Sequence, residues 1–118
     1  CDSCNTRSRA VRTLLLWELP TVLAIVLKRF LPNGDVNRAE VAIPGSLNIR
    51  GRTDLSYNLC SVACHMGHSQ HGGHYVTASR HPREGVWTLH DDDIVAALEK
   101  HHCDQIRRCA YLLFFEIS

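Results

Sequence analysis

The sequence lacks a long apolar run, and this absence argues against a membrane protein. Its longest apolar stretch covers residues 14–27 and is interrupted by Glu18 and Pro20. An uninterrupted membrane span needs ~20 apolar residues. The first twelve residues are polar and do not resemble a signal peptide. We therefore expect no membrane partner.

An excess of one charge is also missing. The chain has 13 Lys and Arg against 12 Asp and Glu, which gives a formal net charge of +1. Nucleic-acid binders usually show a basic excess or a one-sided basic stripe. Here the basic residues are scattered along the chain. We therefore expect no nucleic-acid partner.

Six cysteines are present, an even number that would suggest disulfides in a small secreted protein. However, 45% of the residues are hydrophobic, which supplies a core without cross-links. We therefore expect a reducing compartment, the cytoplasm or the nucleus. Because the first residue is Cys and not Met, we also expect that the chain was cut from a longer protein.

The hydrophobic pattern predicts an α+β fold that is mainly antiparallel β, with a short helix. Residues 36–43 could return as a hairpin partner of the first strand, and residues 66–73 are predicted to form a loop. Asp91–Asp93 is predicted to open the short helix, because carboxylates suit a helix N-terminus. Strands are predicted at residues 21–30, 57–65, 74–81, 86–90 and 111–117.

His74 and Asp91 are the first candidate for chemistry. If the strands on either side of the Pro82–Gly85 turn pair, the hairpin brings these two side chains together. A carboxylate there could fix the imidazole tautomer and leave its other nitrogen as a base. The residues alone leave two alternatives open, a purely structural His–Asp pair and aspartates that only cap a helix.

Two patterns suggest a metal. His65, His68, His71 and His74 fall at intervals of three, but glycines between them argue against the helix that would align them. Cys1 and Cys4 form a C-x2-C pair, which is half of a tetrahedral zinc site. A small zinc-binding protein therefore stays a further alternative. Cys60 and Cys64 are better explained as buried small apolar residues.

Several segments together resemble the ubiquitin-specific proteases, a family of cysteine deubiquitinases. Each segment is weak evidence alone, but their order and spacing are specific, and the resemblance runs nearly end to end. The segments are L-P-T-V-L-A-I-V-L-K-R-F at 19–30, V-A-I-P at 41–44, Y-x-L-x-x-V-x-x-H-x-G at 57–67, G-G-H-Y at 72–75, W-x-x-H-D-D at 87–92 and A-Y-L-L-F-F at 110–115.

The resemblance implies the palm subdomain of a papain-like cysteine protease over residues 13–118, with residues 1–12 a remnant of the zinc-ribbon fingers. The protein would hydrolyse isopeptide bonds at the C-terminal glycine of ubiquitin, with ubiquitin and ubiquitinated proteins as partners and no cofactor for catalysis. The implied residues are His74, Asp91 and Asp92 for catalysis, Gly72, Gly73 and Tyr75 for substrate binding, and Cys1 and Cys4 for half of a structural zinc site.

One departure from the family limits this expectation. The cysteine box with its G-N-T-C-like core is absent, and no cysteine of the chain lies in a matching context. The 118-residue chain alone is therefore expected to be inactive, because removal of the nucleophile removes the covalent route. The alternative is a non-catalytic ubiquitin-binding or scaffold module on the same fold.

Overall fold

The computed structural model describes residues 3–118, which form a seven-stranded antiparallel sheet and one helix. The order across the sheet is β1-β7-β3-β4-β5-β6, and β2 pairs with β3. No helix among these residues is long and apolar enough to cross a membrane. The elements are β1 (Val22–Val26), β2 (Ser46–Ile49), β3 (Leu55–Ser69), β4 (Gly72–Arg80), β5 (Trp87–Asp91), β6 (Ile94–Ala97), α1 (Lys100–Cys109) and β7 (Ala110–Ile117).

The core lies where α1 packs on the two central strands, β3 and β7. Ile106 and Cys109 are the buried residues of the helix. Full burial of a large apolar side chain stabilises the fold by about 1.5–3 kcal/mol. The largest fully buried side chains are all on the two central strands: Tyr57, Val62, Cys64 and Phe115. The mainly antiparallel fold class predicted from the pattern is confirmed.

The loop predicted at residues 66–73 is wrong, because β3 and β4 continue through most of it. β3 runs to Ser69 and β4 begins at Gly72, with a register shift between Met66 and Ser69. Glycine makes this continuation feasible. A Cβ atom on Gly67 would lie 2.5 Å from the Gly72 carbonyl oxygen. The two strands therefore approach more closely than a side chain would allow.

A methyl group at Gly67 is expected to destabilise the chain by about 1–3 kcal/mol, because its closest neighbours are backbone atoms that cannot rotate away. Thermal unfolding of Gly67→Ala measures the loss. Gly45→Ala is the matched control, since a Cβ atom at Gly45 meets nothing within 4 Å. Equal melting temperatures for the two variants would contradict the close approach.

The helix predicted to open at Asp91–Asp93 is also wrong, since this segment forms a β-hairpin. Asp91 pairs with Ile94 at the ends of β5 and β6, which leaves Asp92 and Asp93 as a two-residue turn. Asp92 adopts a φ of 49°, a left-handed conformation that Asp tolerates better than most residues. The β-branched Ile94 and Val95 then extend as a strand.

The helix that does form, α1, was not predicted. Its sequence KHHCDQIRRC is polar, and the stripe that it buries is narrow, so apolar periodicity gives little signal. Local bonds define its ends. The Glu99 backbone N–H donates to His102 Nδ1 at 3.0 Å. Arg107 and Arg108 occupy the last turn, where positive charge complements the helix dipole.

Residues 36–43 do not form the predicted return strand, and the buried Arg29 explains why. Only a Phe30–Val36 bridge forms in this part of the described chain. The Arg29 guanidinium donates to the carbonyl oxygens of Asn37 and Ala39, each at 2.8 Å. These carbonyl groups are therefore satisfied without a partner strand.

Candidate active site

The β4–β5 hairpin brings His74 and Asp91 into contact, as its sequence geometry predicts. Ala78 on β4 pairs with Leu89 on β5. Side chains two residues apart on a strand share a face, so His74 and Asp91 project from the same face as this pair. They are diagonal neighbours there, within reach of each other across the two strands. His74 Nε2 and Asp91 Oδ1 form a hydrogen-bonded ion pair.

The contact with Asp91 changes the pKa of the His74 imidazole. The hydrogen bond that the His74 ring donates to Asp91, together with the negative charges of Asp91 and Asp92, raises the pKa of His74 above its ordinary value of 6.5. The two paired side chains are 45% and 46% exposed, so a reacting group can reach them. Since Asp91 engages Nε2, the nitrogen left to exchange a proton is Nδ1.

Asp92 completes a group of three side chains. One ligand atom each from His74, Asp91 and Asp92 lies within 4.8 Å of the others. Among residues 3–118 this is the one group of three such ligand atoms, so the structure does not gather His65, His68, His71 and His74 into a zinc site. An imidazole bonded to one carboxylate and flanked by another is suited to proton transfer.

The half zinc site stays a prediction. Cys1 lies outside the described residues. Cys4 is exposed, and its Sγ accepts a hydrogen bond from the Thr6 hydroxyl at 3.1 Å. That hydrogen bond lowers the pKa of the Cys4 thiol, which favours the thiolate form that metals bind. The described residues thus supply one suitable thiol, and Cys4 belongs to no group of three or more ligand side chains among them.

The three residues predicted to contact substrate surround His74 in sequence. Gly72 and Gly73 begin β4 and are exposed, so backbone can approach them closely. Tyr75 is 54% exposed, and its ring centroid lies 5.0 Å from that of His65. An open, side-chain-free segment beside a basic imidazole is suited to a narrow extended peptide.

The sequence places His65 in a family motif and in a row of possible zinc ligands, and the structure shows a more specific environment. It is 2% exposed, and its ring packs against Phe30 with a centroid distance of 5.2 Å. Its Nδ1 has no hydrogen-bond partner. Burial, with a smaller contribution from Arg38, lowers the pKa of His65. The sequence carries a signal for this environment, because His65 directly follows the apolar residues Val62, Ala63 and Cys64 and precedes Gly67.

Comparison with known proteins places these features in a family. The family described as ubiquitin carboxyl-terminal hydrolase matches residues 1–115. Ubiquitin carboxyl-terminal hydrolase 26 of Arabidopsis thaliana is 33% identical, over 89% of this chain and 11% of its own length. A probable ubiquitin carboxyl-terminal hydrolase, creB, of Aspergillus niger is 30% identical, over 98% of this chain and 17% of its own length.

Solved structures agree with the sequence relatives. A chain of the yeast SAGA DUB module with a mutant Sgf73 superposes with a TM-score of 0.81 at 30% identity, covering 100% of this chain and 28% of that one. A SAGA DUB module of Ubp8, Sgf11, Sus1 and Sgf73 bound to monoubiquitin gives 0.77 at 30% identity, with the same coverage. The chain thus spans less than a third of the relatives that it matches, and it belongs to the ubiquitin carboxyl-terminal hydrolase family.

Proposed function

We propose that this chain supplies the base and the acid of a thiol-dependent deubiquitinase, and that it is one part of the catalytic domain. The observation that carries the proposal is the ion pair between His74 Nε2 and Asp91, which leaves Nδ1 available at an exposed position. The coverage of relatives supports the second part, since the chain spans 28% of a solved structure that it matches over its whole length.

The proposed reaction begins with proton transfer. His74 takes the proton of a cysteine thiol, because the thiolate is the nucleophile. The thiolate attacks the isopeptide carbonyl carbon, and His74 then donates its proton to the departing lysine amine. Water, deprotonated by the same imidazole, hydrolyses the thioester. Asp91 holds the ring and stabilises the imidazolium in each step, and Asp92 adds a second negative charge nearby.

The nucleophile is proposed to lie in another part of the protein. Burial raises the pKa of the Cys60 thiol. The hydrogen bond with Cys109, together with burial, raises the pKa of Cys64. A raised pKa reduces the thiolate population, so these two cysteines are poor nucleophiles. Cys103 is exposed but lies on α1, outside the β4–β5 hairpin that carries His74.

Ubiquitin is the proposed partner, with its C-terminal tail lying along Gly72, Gly73 and Tyr75. Glycine at two successive positions leaves the β4 backbone accessible to an extended chain. A solved relative at 30% identity is described as bound to monoubiquitin. Recognition of a slender peptide end and proton transfer would thus occur on adjacent residues of one strand.

A fluorogenic ubiquitin C-terminal amide tests the proposal with two samples. The complete protein that contains this chain is expected to release the fluorophore, and the 118-residue chain alone is expected to stay at background. Turnover by the isolated chain would show that one of its own cysteines is the nucleophile. A complete protein that binds ubiquitin and releases no fluorophore would instead establish the non-catalytic binding module.

A further inference from the structure

His74 lies on a part of β4 that only one neighbouring strand supports. The pairing of β4 with β5 ends at Thr77 and His90. Towards its N-terminus, β4 continues beyond this point along β3, where His74 pairs with Met66. The position of the imidazole relative to Asp91 therefore depends on how β3 holds the first residues of β4.

The two residues before His74 have no side chains that could anchor them. Gly73 packs directly on the ring of His65, since a Cβ atom on Gly73 would lie 2.9 Å from His65 Cε1. The same ring lies under Gly67, where a Cβ atom would be 3.1 Å from Cε1. One buried imidazole thus fills the space that both glycines leave.

The ring of His65 is itself held in place by aromatic neighbours. Phe30 meets it edge-on, with an interplanar angle of 76° and a centroid distance of 5.2 Å. Tyr75, its partner across the strands, is tilted by 60° at 5.0 Å. Such contacts restrict the motion of the ring. The ring is therefore a rigid support for the backbone at Gly73.

We propose that His65 is a positioning residue, which supports Gly73 from the opposite face of the sheet and so holds His74 against Asp91. The proposal rests on the proposed role of the His74–Asp91 pair. His65 acts through its shape, because its Nδ1 has no hydrogen-bond partner and its ring is closed off from solvent. A planar ring of similar size without nitrogen should serve equally well.

NMR titration of the His74 imidazole in the full 118-residue chain tests the proposal. His65→Ala removes the support, and the pKa of His74 is expected to fall toward its ordinary value of 6.5. His65→Phe keeps the ring and is expected to keep the raised pKa of His74. Asp91→Asn is the reference for a lowered pKa of His74, because it removes the negative charge that raises this pKa directly.

The outcomes distinguish a role of His65 in supporting β4 from a role in the overall stability of the chain. A folded His65→Ala chain with an unchanged pKa of His74 would overturn the proposal, as would His65→Phe behaving like His65→Ala. If His65→Ala does not fold, Gly73→Ala tests the same contact between β3 and β4, since its methyl group would push against the His65 ring and the Met66 carbonyl oxygen. An unchanged pKa of His74 in folded Gly73→Ala would also overturn the proposal.

Results that refute the His74–Asp91 pair can be distinguished from results that refute only the role of His65. If Asp91→Asn leaves the pKa of His74 unchanged, the pair itself does not set the electrostatics, and both the pair and its support are refuted. If Asp91→Asn lowers that pKa and His65→Ala does not, the pair stands and only the role of His65 is refuted.

Discussion

Under the proposed function, replacement of His74 by glutamine in the complete protein is expected to lower kcat/KM by ~10³-fold or more. Glutamine can still donate a hydrogen bond to Asp91, but it cannot accept the thiol proton or return one to the leaving amine. The side chain is exposed and contributes little to the core, so folding should be preserved. Steady-state hydrolysis of a ubiquitin C-terminal amide measures the loss.

His101→Gln is the matched control for this experiment. His101 is also exposed and also close to a carboxylate, with its Nδ1 3.3 Å from Glu99. It lies on α1 and not on the hairpin that carries the His–Asp pair, so its replacement should leave kcat/KM within about twofold of the original. A comparable loss of kcat/KM in both variants would contradict a specific role of His74 in catalysis.

The second large effect concerns stability, where Arg29→Met is expected to lower the free energy of unfolding by about 3 kcal/mol or more. Arg29 is 4% exposed, and its guanidinium donates to four carbonyl groups. Methionine fills similar space but leaves those acceptors without a donor. The acceptors belong to Asn37, Ala39, Arg107 and Ala110.

Thermal and urea unfolding measure this loss, with a fall in Tm on the order of 10 °C expected for a chain of this size. Lys28→Met is the control, because Lys28 is the exposed neighbour of Arg29 and carries the same charge. If both variants have the same Tm, the buried hydrogen bonds of Arg29 contribute no more to stability than the surface charge of Lys28.

Five of the seven strands, β1, β3, β4, β5 and β7, could be predicted from the sequence because their apolar residues alternate or run continuously. The errors lie where a hydrogen bond or a strand pairing with another segment overrides local preference. Asn37 and Ala39 bond to a guanidinium, which no local pattern reveals. Asp92 and Asp93 suit both a helix start and a tight hairpin turn, and the pairing of β6 with β5 decides between them.

The candidate site was more predictable than the fold around it. The Pro82–Gly85 turn fixes which strands pair, and that pairing is enough to bring His74 and Asp91 together. The support beneath them was not predictable in the same way. His65 and Gly73 belong to different strands, and their contact depends on the pairing of β3 with β4, whose register the sequence pattern does not encode.

Because side chains alternate between the two faces of β4, the number of residues between His74 and Ala78 decides which face carries the imidazole. His74 and Ala78 share a face because they are an even number of residues apart. Insertion of one residue between them would place the imidazole on the opposite face, away from Asp91, although no existing residue had been replaced. Length changes at the Gln70–His71 turn lie outside this segment, so they would leave His74 and Asp91 on the same face.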